Sequence, residues 1–83
     1  MPGKIRVLYF AQARDAAGRS TEVVSLEGLT TARGVLDAVV EIHPRLLPLK
    51  PSLRLAVNRE LGAEDARLND GDEVAILPPV AGG

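Results

Sequence analysis

The residues best suited to chemistry lie at the carboxyl end of the chain, where Leu77 is followed by Pro78, Pro79, Val80, Ala81, Gly82 and Gly83. Glycine has no Cβ, so Gly82 and Gly83 can adopt backbone angles closed to other residues and leave a terminal carboxylate open to attack in a narrow partner site. Such a carboxylate is suited to activation, and acyl chemistry at Gly83 is the expectation. Pro78 and Pro79 fix φ and favour an extended run. The chain is therefore expected to divide into a folded domain over 1–77 and an extended tail over 78–83. From Pro79 that tail reaches roughly 13–17 Å at ~3.3 Å per residue.

Away from the tail, a self-sufficient catalyst would need a nucleophile beside a base, a metal cluster or a cofactor loop, and the residue spacing offers none of these. His43, the only histidine, is expected at the end of a helix beside Pro44, as a solvated group or facing the negative end of the helix dipole. Asp70, Asp72 and Glu73 match no calcium-loop pattern, and Asn69-Asp70-Gly71-Asp72 reads first as a turn. Gly62 and Gly71 form no phosphate-binding fingerprint. The chain has no cysteine, which removes disulfides, thiolate catalysis and cysteine-held metal sites together. Arg14 stands at the same end of the first strand as Phe10, as either a solvated loop charge or a contact for an anion.

The elements that must carry the tail are legible in the hydrophobic pattern. Ile5-Arg6-Val7-Leu8-Tyr9-Phe10 reads as a strand with Ile5, Val7 and Tyr9 on one face and Arg6, Leu8 and Phe10 on the other. A loop through Arg14, Asp15 and Gly18 leads to a second strand over Thr21 to Leu26, whose facing is ambiguous because Val23 and Val24 are adjacent. Thr31 is a good N-cap for a helix in which Ala32, Val35, Leu36, Val39 and Ile42 recur at helical spacing until Pro44. Leu46 to Ser52, with Pro48 and Pro51, reads as an irregular connection. Leu53 to Val57 and Glu73 to Leu77 are strands, separated by the Asn69 to Asp72 turn. One helix across a small mixed sheet buries these faces economically. Ile5, Val7, Tyr9, Leu53, Leu55, Val57, Val74 and Ile76 are then the core set, and Leu8, Phe10, Ala75 and Leu77 fall on the uncovered face. An apolar patch there is a docking candidate, against the alternative of scattered surface hydrophobes.

Composition sets the outer bounds. Eighty-three residues with 46% hydrophobic and 25% charged content describe one globular domain without room for a second. A net charge of -1 with both signs interspersed argues against the basic face that nucleic-acid binding needs. No apolar run approaches the ~20 residues that span a bilayer, and no leader pattern opens the chain. A cytoplasmic protein with no membrane partner is the expectation.

Three stretches carry a resemblance across the whole chain. They are Ile5-Arg6-Val7-Leu8-Tyr9-Phe10-Ala11-Gln12-Ala13-Arg14-Asp15, Ala56-Val57-Asn58, and Asp70-Gly71-Asp72-Glu73-Val74-Ala75 with Pro78-Pro79-Val80-Ala81-Gly82-Gly83. In these the chain resembles the small, sulfur-carrying subunits of molybdopterin synthase, a ubiquitin-like β-grasp family of α+β class. Ile76 and Leu77 are aliphatic where that family often carries aromatics. The resemblance implies that an adenylyltransferase of the ubiquitin-activating type uses ATP to adenylate Gly83, and that a sulfur donor converts the adenylate into a thiocarboxylate. It further implies a large subunit that receives the tail and supplies the catalytic groups for sulfur transfer to cyclic pyranopterin monophosphate. The assembly so implied is a heterotetramer of two small and two large subunits, with no cofactor bound to the small one. Family interface positions fall on Phe10, Arg14, Leu61 and Leu77, and the tail residues Pro78, Pro79, Val80 and Ala81 would line the partner's channel ahead of Gly82 and Gly83. The alternatives are a sulfur carrier for thiamin, tRNA or cysteine synthesis, a ubiquitin-like modifier that forms isopeptide bonds, and a plain interaction module.

Overall fold

A computed structural model describes residues 3–28 and 30–78. The elements run β1 (Lys4–Tyr9), α1 (Ala11–Ala17), β2 (Thr21–Ser25), α2 (Ala32–Ile42), a 3-10 helix (Pro44–Ser52), β3 (Arg54–Val57), β4 (Glu60–Leu61) and β5 (Glu73–Leu77). They form a five-stranded sheet in the order β2-β1-β5-β3-β4. The central pair β1 and β5 is parallel and every other pair is antiparallel. This is the small mixed sheet packed on one main helix that the hydrophobic pattern anticipates, and the ubiquitin-like β-grasp that the resemblance implies. The tail residues 79–83 lie outside the described residues.

The strand alternation puts Ile5, Val7 and Tyr9 of β1, Leu55 and Val57 of β3, and Val74 and Ile76 of β5 into the core. Leu53, placed with them by parity, is only partly buried against that core. Across from them α2 buries Val35, Leu36, Val39 and Val40. Burying each such side chain fully contributes about 1.5–3 kcal/mol relative to exposure. The Thr31 hydroxyl accepts the Gly34 N–H at 3.2 Å and caps the helix as its residue type predicts. At the other end the His43 N–H still closes on the Val39 carbonyl at 2.8 Å before Pro44 prevents continuation.

Three elements differ from the sequence reading. The segment read as a loop through Arg14 and Asp15 is the helix α1, which ends on Gly18 in the left-handed region at φ 76. Only the small side chains of Ala13 and Ala17 are buried on it, so its apolar signal is too weak to register. The connection from Leu46 to Ser52 is helical, because the tighter i to i+3 pattern tolerates Pro48 and Pro51 while Leu46 anchors it in the core. Two-residue β4 was not anticipated at all. Strand ends also shift by a residue: β1 stops at Tyr9, β2 at Ser25, and β3 begins at Arg54.

His43 caps the end of α2, as its place beside Pro44 implies, but its ring is largely buried against a strand carboxylate and is not a solvated group. Its Nε2 lies 2.8 Å from Glu22 Oε1, and the same oxygen accepts the Tyr9 hydroxyl at 2.7 Å. Arg19 reaches Glu22 Oε2 at 3.3 Å, and the Tyr9 and His43 rings meet edge to face with centroids 5.8 Å apart. One carboxylate thus joins β1, β2 and the end of α2. Burial pushes the Glu22 carboxyl up, but the hydrogen bonds from His43 and Tyr9, with the charges of His43 and Arg19, outweigh it and hold it below the ordinary carboxylate value. Burial, then the bond to Glu22, raises the Tyr9 hydroxyl well above the usual tyrosine value.

The depressed carboxyl contributes stability that is present above its unfolded value, about 4.5, and is lost as the pH falls through its lower folded value. Glu22→Gln is therefore expected to lower neutral-pH stability by about 1–3 kcal/mol and to flatten its decline in acid, as read by urea unfolding across pH. Tyr9 is the only tyrosine, so phenolate absorbance reports it alone. The folded chain should show no ionisation near the ordinary tyrosine value, and a rise there without unfolding would contradict the network.

Candidate functional site

The face of the sheet turned away from α2 carries the candidate site. Strand register builds it as a row: Leu8 of β1 pairs with Ala75 of β5, Ala75 with Ala56 of β3, and Ala56 with Leu61 of β4. Four apolar side chains on four successive strands are thus aligned across the open face. At the ~4.8 Å spacing of neighbouring strands the row spans roughly 14 Å, which suits a protein surface better than a small ligand.

A second row runs beside the first, at the end where the chain leaves the sheet. Phe10 keeps an extended backbone, and its N–H donates to the Ile76 carbonyl at 3.3 Å, carrying the β1–β5 pairing one residue further and setting Phe10 beside Leu77. Arg54 of β3 is the cross-strand neighbour of Leu77 on the other side. Phe10 is 44% exposed and Leu61 58%, while Leu77 and Pro78 are half-buried. Such exposure of large apolar side chains on one sheet face makes it the candidate interaction surface. The opposite edge of the row is polar, where Arg6 lies 3.7 Å from Glu73.

Of the residues singled out from the sequence, the structure brings Phe10, Leu77 and Pro78 together at the exit and sets Leu61 on the same face three strands away from Leu8. Arg14 follows one turn after Phe10, its N–H bonded to the Phe10 carbonyl at 3.3 Å, and its side chain is exposed. Pro79, Val80, Ala81, Gly82 and Gly83 lie outside the described residues. Sequence parity identified Leu8, Phe10, Ala75 and Leu77, but not Ala56 or Arg54. Alternation with Leu55 and Val57 puts both on that face, but which residues they stand beside follows only from the β3 register. Among the described residues no group of three or more His, Asp or Glu side chains is arranged to hold a metal, and no helix is long and apolar enough to cross a membrane.

The row depends on the turn that returns the chain from β3 to β4. Asn58 and Arg59 occupy it with φ 49 and 73, the two successive left-handed residues of a tight primed hairpin turn. Asn58 tolerates this and is held on both sides: its Oδ1 accepts the Glu73 N–H at 3.0 Å and its Nδ2 donates to Asp72 Oδ1 at 3.1 Å. Arg59 has no comparable bond among the described residues.

Comparison with known proteins agrees with this architecture. The model of the ThiS family matches residues 7–83. The chain belongs to the ThiS family. It is 35% identical over 82 residues to the molybdopterin synthase sulfur carrier subunit of Chlamydomonas reinhardtii, covering 96% of this chain and 99% of that protein. Among solved structures, small archaeal modifier protein SAMP1 of Haloferax volcanii superposes with a TM-score of 0.83 at 31% identity, over 98% of this chain and 100% of that one. A complex of subunits 1 and 2 of molybdopterin-converting factor from Helicobacter pylori contains a chain with TM-score 0.69 at 22% identity, over 96% and 99% of the two chains, and there the likeness is one of fold. The resemblance to small sulfur-carrying subunits read from the three sequence stretches holds for this ThiS-family chain.

The turn offers a two-sided test of how this ThiS-family domain supports its open face. Arg59→Gly removes the penalty of a side chain in the left-handed region and is expected to stabilise the fold by about 0.5–1 kcal/mol. Asn58→Ala removes two bonds to the start of β5 and should destabilise it by about 1–2 kcal/mol. Urea unfolding of the two variants checks the opposite signs.

Proposed function

We propose that this chain is the sulfur carrier subunit of a molybdopterin synthase and that its working group is the carboxylate of Gly83. The observation that carries the reading is the family match, which extends to residue 83 and so takes in the diglycine together with the strand and prolines before it. The apolar open face that leads up to Leu77 and Pro78 supports it, since a carrier must dock while its tail is threaded.

In this cycle the carrier supplies a carboxylate and a surface, and its partners supply the catalysis. A carboxylate is a poor acyl donor because its charge is delocalised. An adenylyltransferase of the ubiquitin-activating type consumes ATP to form the Gly83 acyl-adenylate, with loss of pyrophosphate. Hydrosulfide-level sulfur from a donor then attacks the carbonyl carbon, its C–S bond replacing the C–O bond to AMP, which departs and leaves a thiocarboxylate. That group is anionic at neutral pH with a soft, nucleophilic sulfur, by the reasoning that makes thiolate the reactive form of cysteine. A large subunit receives the tail, with Gly82 and the flanking Val80 and Ala81 in its channel, and provides the acid and base groups for transfer to cyclic pyranopterin monophosphate. Phe10, Arg14, Leu61, Leu77, Pro78 and Pro79 form the docking contacts. The carrier binds no cofactor of its own and works in the cytoplasm, in a heterotetramer with two copies of each subunit. The modifier reading draws on the SAMP1 likeness. It uses the same carboxylate but ends in an isopeptide bond to a partner lysine.

Incubation of the chain, ending in its native Gly83, with the activating enzyme, ATP and a sulfur source, followed by a thiol-selective reagent and intact-mass measurement, tests the chemistry. With no cysteine in the chain, a label can only sit on a thiocarboxylate, and it should vanish when Gly83 is deleted. Absence of label under conditions where a known carrier is adenylated and labelled would overturn the reading, and higher-mass conjugates in cells would favour the modifier. For the docking face, Leu61→Asp should weaken binding to the large subunit roughly tenfold or more while leaving the thermal midpoint unchanged. Unchanged affinity, measured by calorimetry, would remove Leu61 from the interface.

A further inference from the structure

Strand β2 is an outer edge of the sheet and is paired on one side only. In β1 the Lys4 N–H donates to Asp70 Oδ1 and the Arg6 N–H to the Asp72 carbonyl, so both turn toward the β5 side. Lys4 stands opposite Ser25 and Arg6 opposite Val23. These are the non-hydrogen-bonded pairs of the antiparallel ladder, while the Tyr9 N–H on the Ser20 carbonyl and the Leu26 N–H on the Gly3 carbonyl mark the hydrogen-bonded set. Thr21, Val23 and Ser25 therefore point their backbone N–H and C=O groups outward, where they meet no partner among the described residues. The edge has no proline, lysine or bulge to deter a neighbouring strand. Its one charge, Glu22, is turned to the helix side and engaged by Tyr9, His43 and Arg19. Its central side chain, Val23, is 63% exposed.

The flanks of this edge carry opposite charges. Arg19 stands just before the strand and Glu27 just after it, both exposed. Arg19 gives one nitrogen to Glu22, and Glu27 has no ion pair among the described residues. Antiparallel pairing of two such edges about Val23 sets Val23 on Val23, Thr21 on Ser25, and Arg19 on Glu27 at both ends. Each pair with outward groups then exchanges two N–H to carbonyl bonds. Other axes lose this match. An axis through Glu22 opposes two carboxylates, one through Val24 sets Glu27 on Thr21, and one through Thr21 or Ser25 sets Val23 on Arg19 or Glu27. Opposite charges facing across strands stabilise a pairing and like charges oppose it, so the register about Val23 is the favoured one.

We infer that β2 pairs edge to edge with β2 of a second copy of this chain, antiparallel about Val23, with Arg19 of each copy on Glu27 of the other. The two-fold axis is perpendicular to the sheet, so the two sheets join into one and both open faces lie on the same side. The exit ends marked by Phe10 and Leu77 fall at opposite ends of the joined sheet, which leaves both free at once. The pairing is independent of the carrier reading, because β2 is the sheet edge remote from Leu61 of β4. A five-residue strand edge falls short of the ~1,200 Å² that lasting interfaces bury, so the association is weak and reversible.

The full chain, followed by amide NMR and sedimentation equilibrium from micromolar to millimolar concentration, tests this. Resonances from Arg19 to Glu27 should shift together and saturably as the mass grows to that of two chains. Arg19→Glu and, separately, Glu27→Arg set like charges face to face at both ends, and each should weaken self-association roughly fivefold or more. An equimolar mixture of the two variants makes every facing pair opposite in sign again and should recover the association. Arg19→Glu also removes the bond to Glu22, so the recovery on mixing carries the argument. Val23→Lys needs neither variant to fold: it brings two ammonium groups together at the axis and should abolish pairing without lowering the thermal midpoint. A chain that stays monomeric at millimolar concentration with unmoved β2 resonances overturns the inference and leaves the edge to a strand of another protein. Self-association that moves Phe10, Leu61 and Leu77 instead overturns it as well, and so does a mixture that recovers nothing.

Discussion

The parallel pairing of β1 with β5 is the constraint on which the rest of this structure depends. It joins Arg6, Val7, Leu8 and Tyr9 near the start of the chain to Glu73, Val74, Ala75 and Ile76 near its end. Parallel neighbours cannot be linked by a hairpin, so the chain between them must include a crossover over one face of the sheet. That crossover contains α2, and its buried stripe covers one face only. The pairing is locked at one end where the Arg6 N–H reaches the Asp72 carbonyl at 2.9 Å and at the other where the Phe10 N–H reaches Ile76. The direction in which β5 leaves the sheet is thereby tied to Phe10.

From that arrangement follows a division of labour between the two faces. The helix face holds the stability, with Ile5, Val7, Tyr9, Val74 and Ile76 almost entirely removed from water. The Glu22 carboxylate closes it at the β2 edge, where a buried hydroxyl and a half-buried imidazole would otherwise lack a partner. The open face contributes less to folding, because its apolar side chains remain partly in water. Those side chains are available to a second protein at modest desolvation cost. The two faces are thereby separable: an exposed residue of the open face such as Leu61 can change without touching the core.

The legible parts of the fold were those with strong period. Alternation in β1 and β5 and the 3.6-residue stripe of α2, from Ala32 to Val39, translate directly into burial, because one face of each element has no alternative to the core, whereas Ile42, expected on the same stripe, lies in the last turn and is 53% exposed. Helix α1 escaped detection because alanines bury little area, and the 3-10 helix because Pro48 and Pro51 argue against an α-helix without excluding a tighter one. His43 was misjudged for another reason. Its neighbours in sequence place it at a helix end, whereas its partners Tyr9 and Glu22 arrive from strands far away in the chain.

The site was legible in its chemistry and only partly in its geometry. Phe10, Leu77 and the diglycine could be read from residue type and strand parity, since Cβ direction alternates with every residue of a strand. That Ala56 and Leu61 extend the same apolar row and that Arg54 flanks Leu77 depend on which strands are neighbours and in what register. Local sequence carries little information about register, because a slip by one residue changes the facing of every side chain while leaving the local propensities as they were. The amino-acid order by itself therefore determined which segments hide a face and placed a diglycine at the carboxyl end. Only the tertiary structure decided what stands beside what, because those neighbours are chosen by long-range backbone pairing and by core packing against α2.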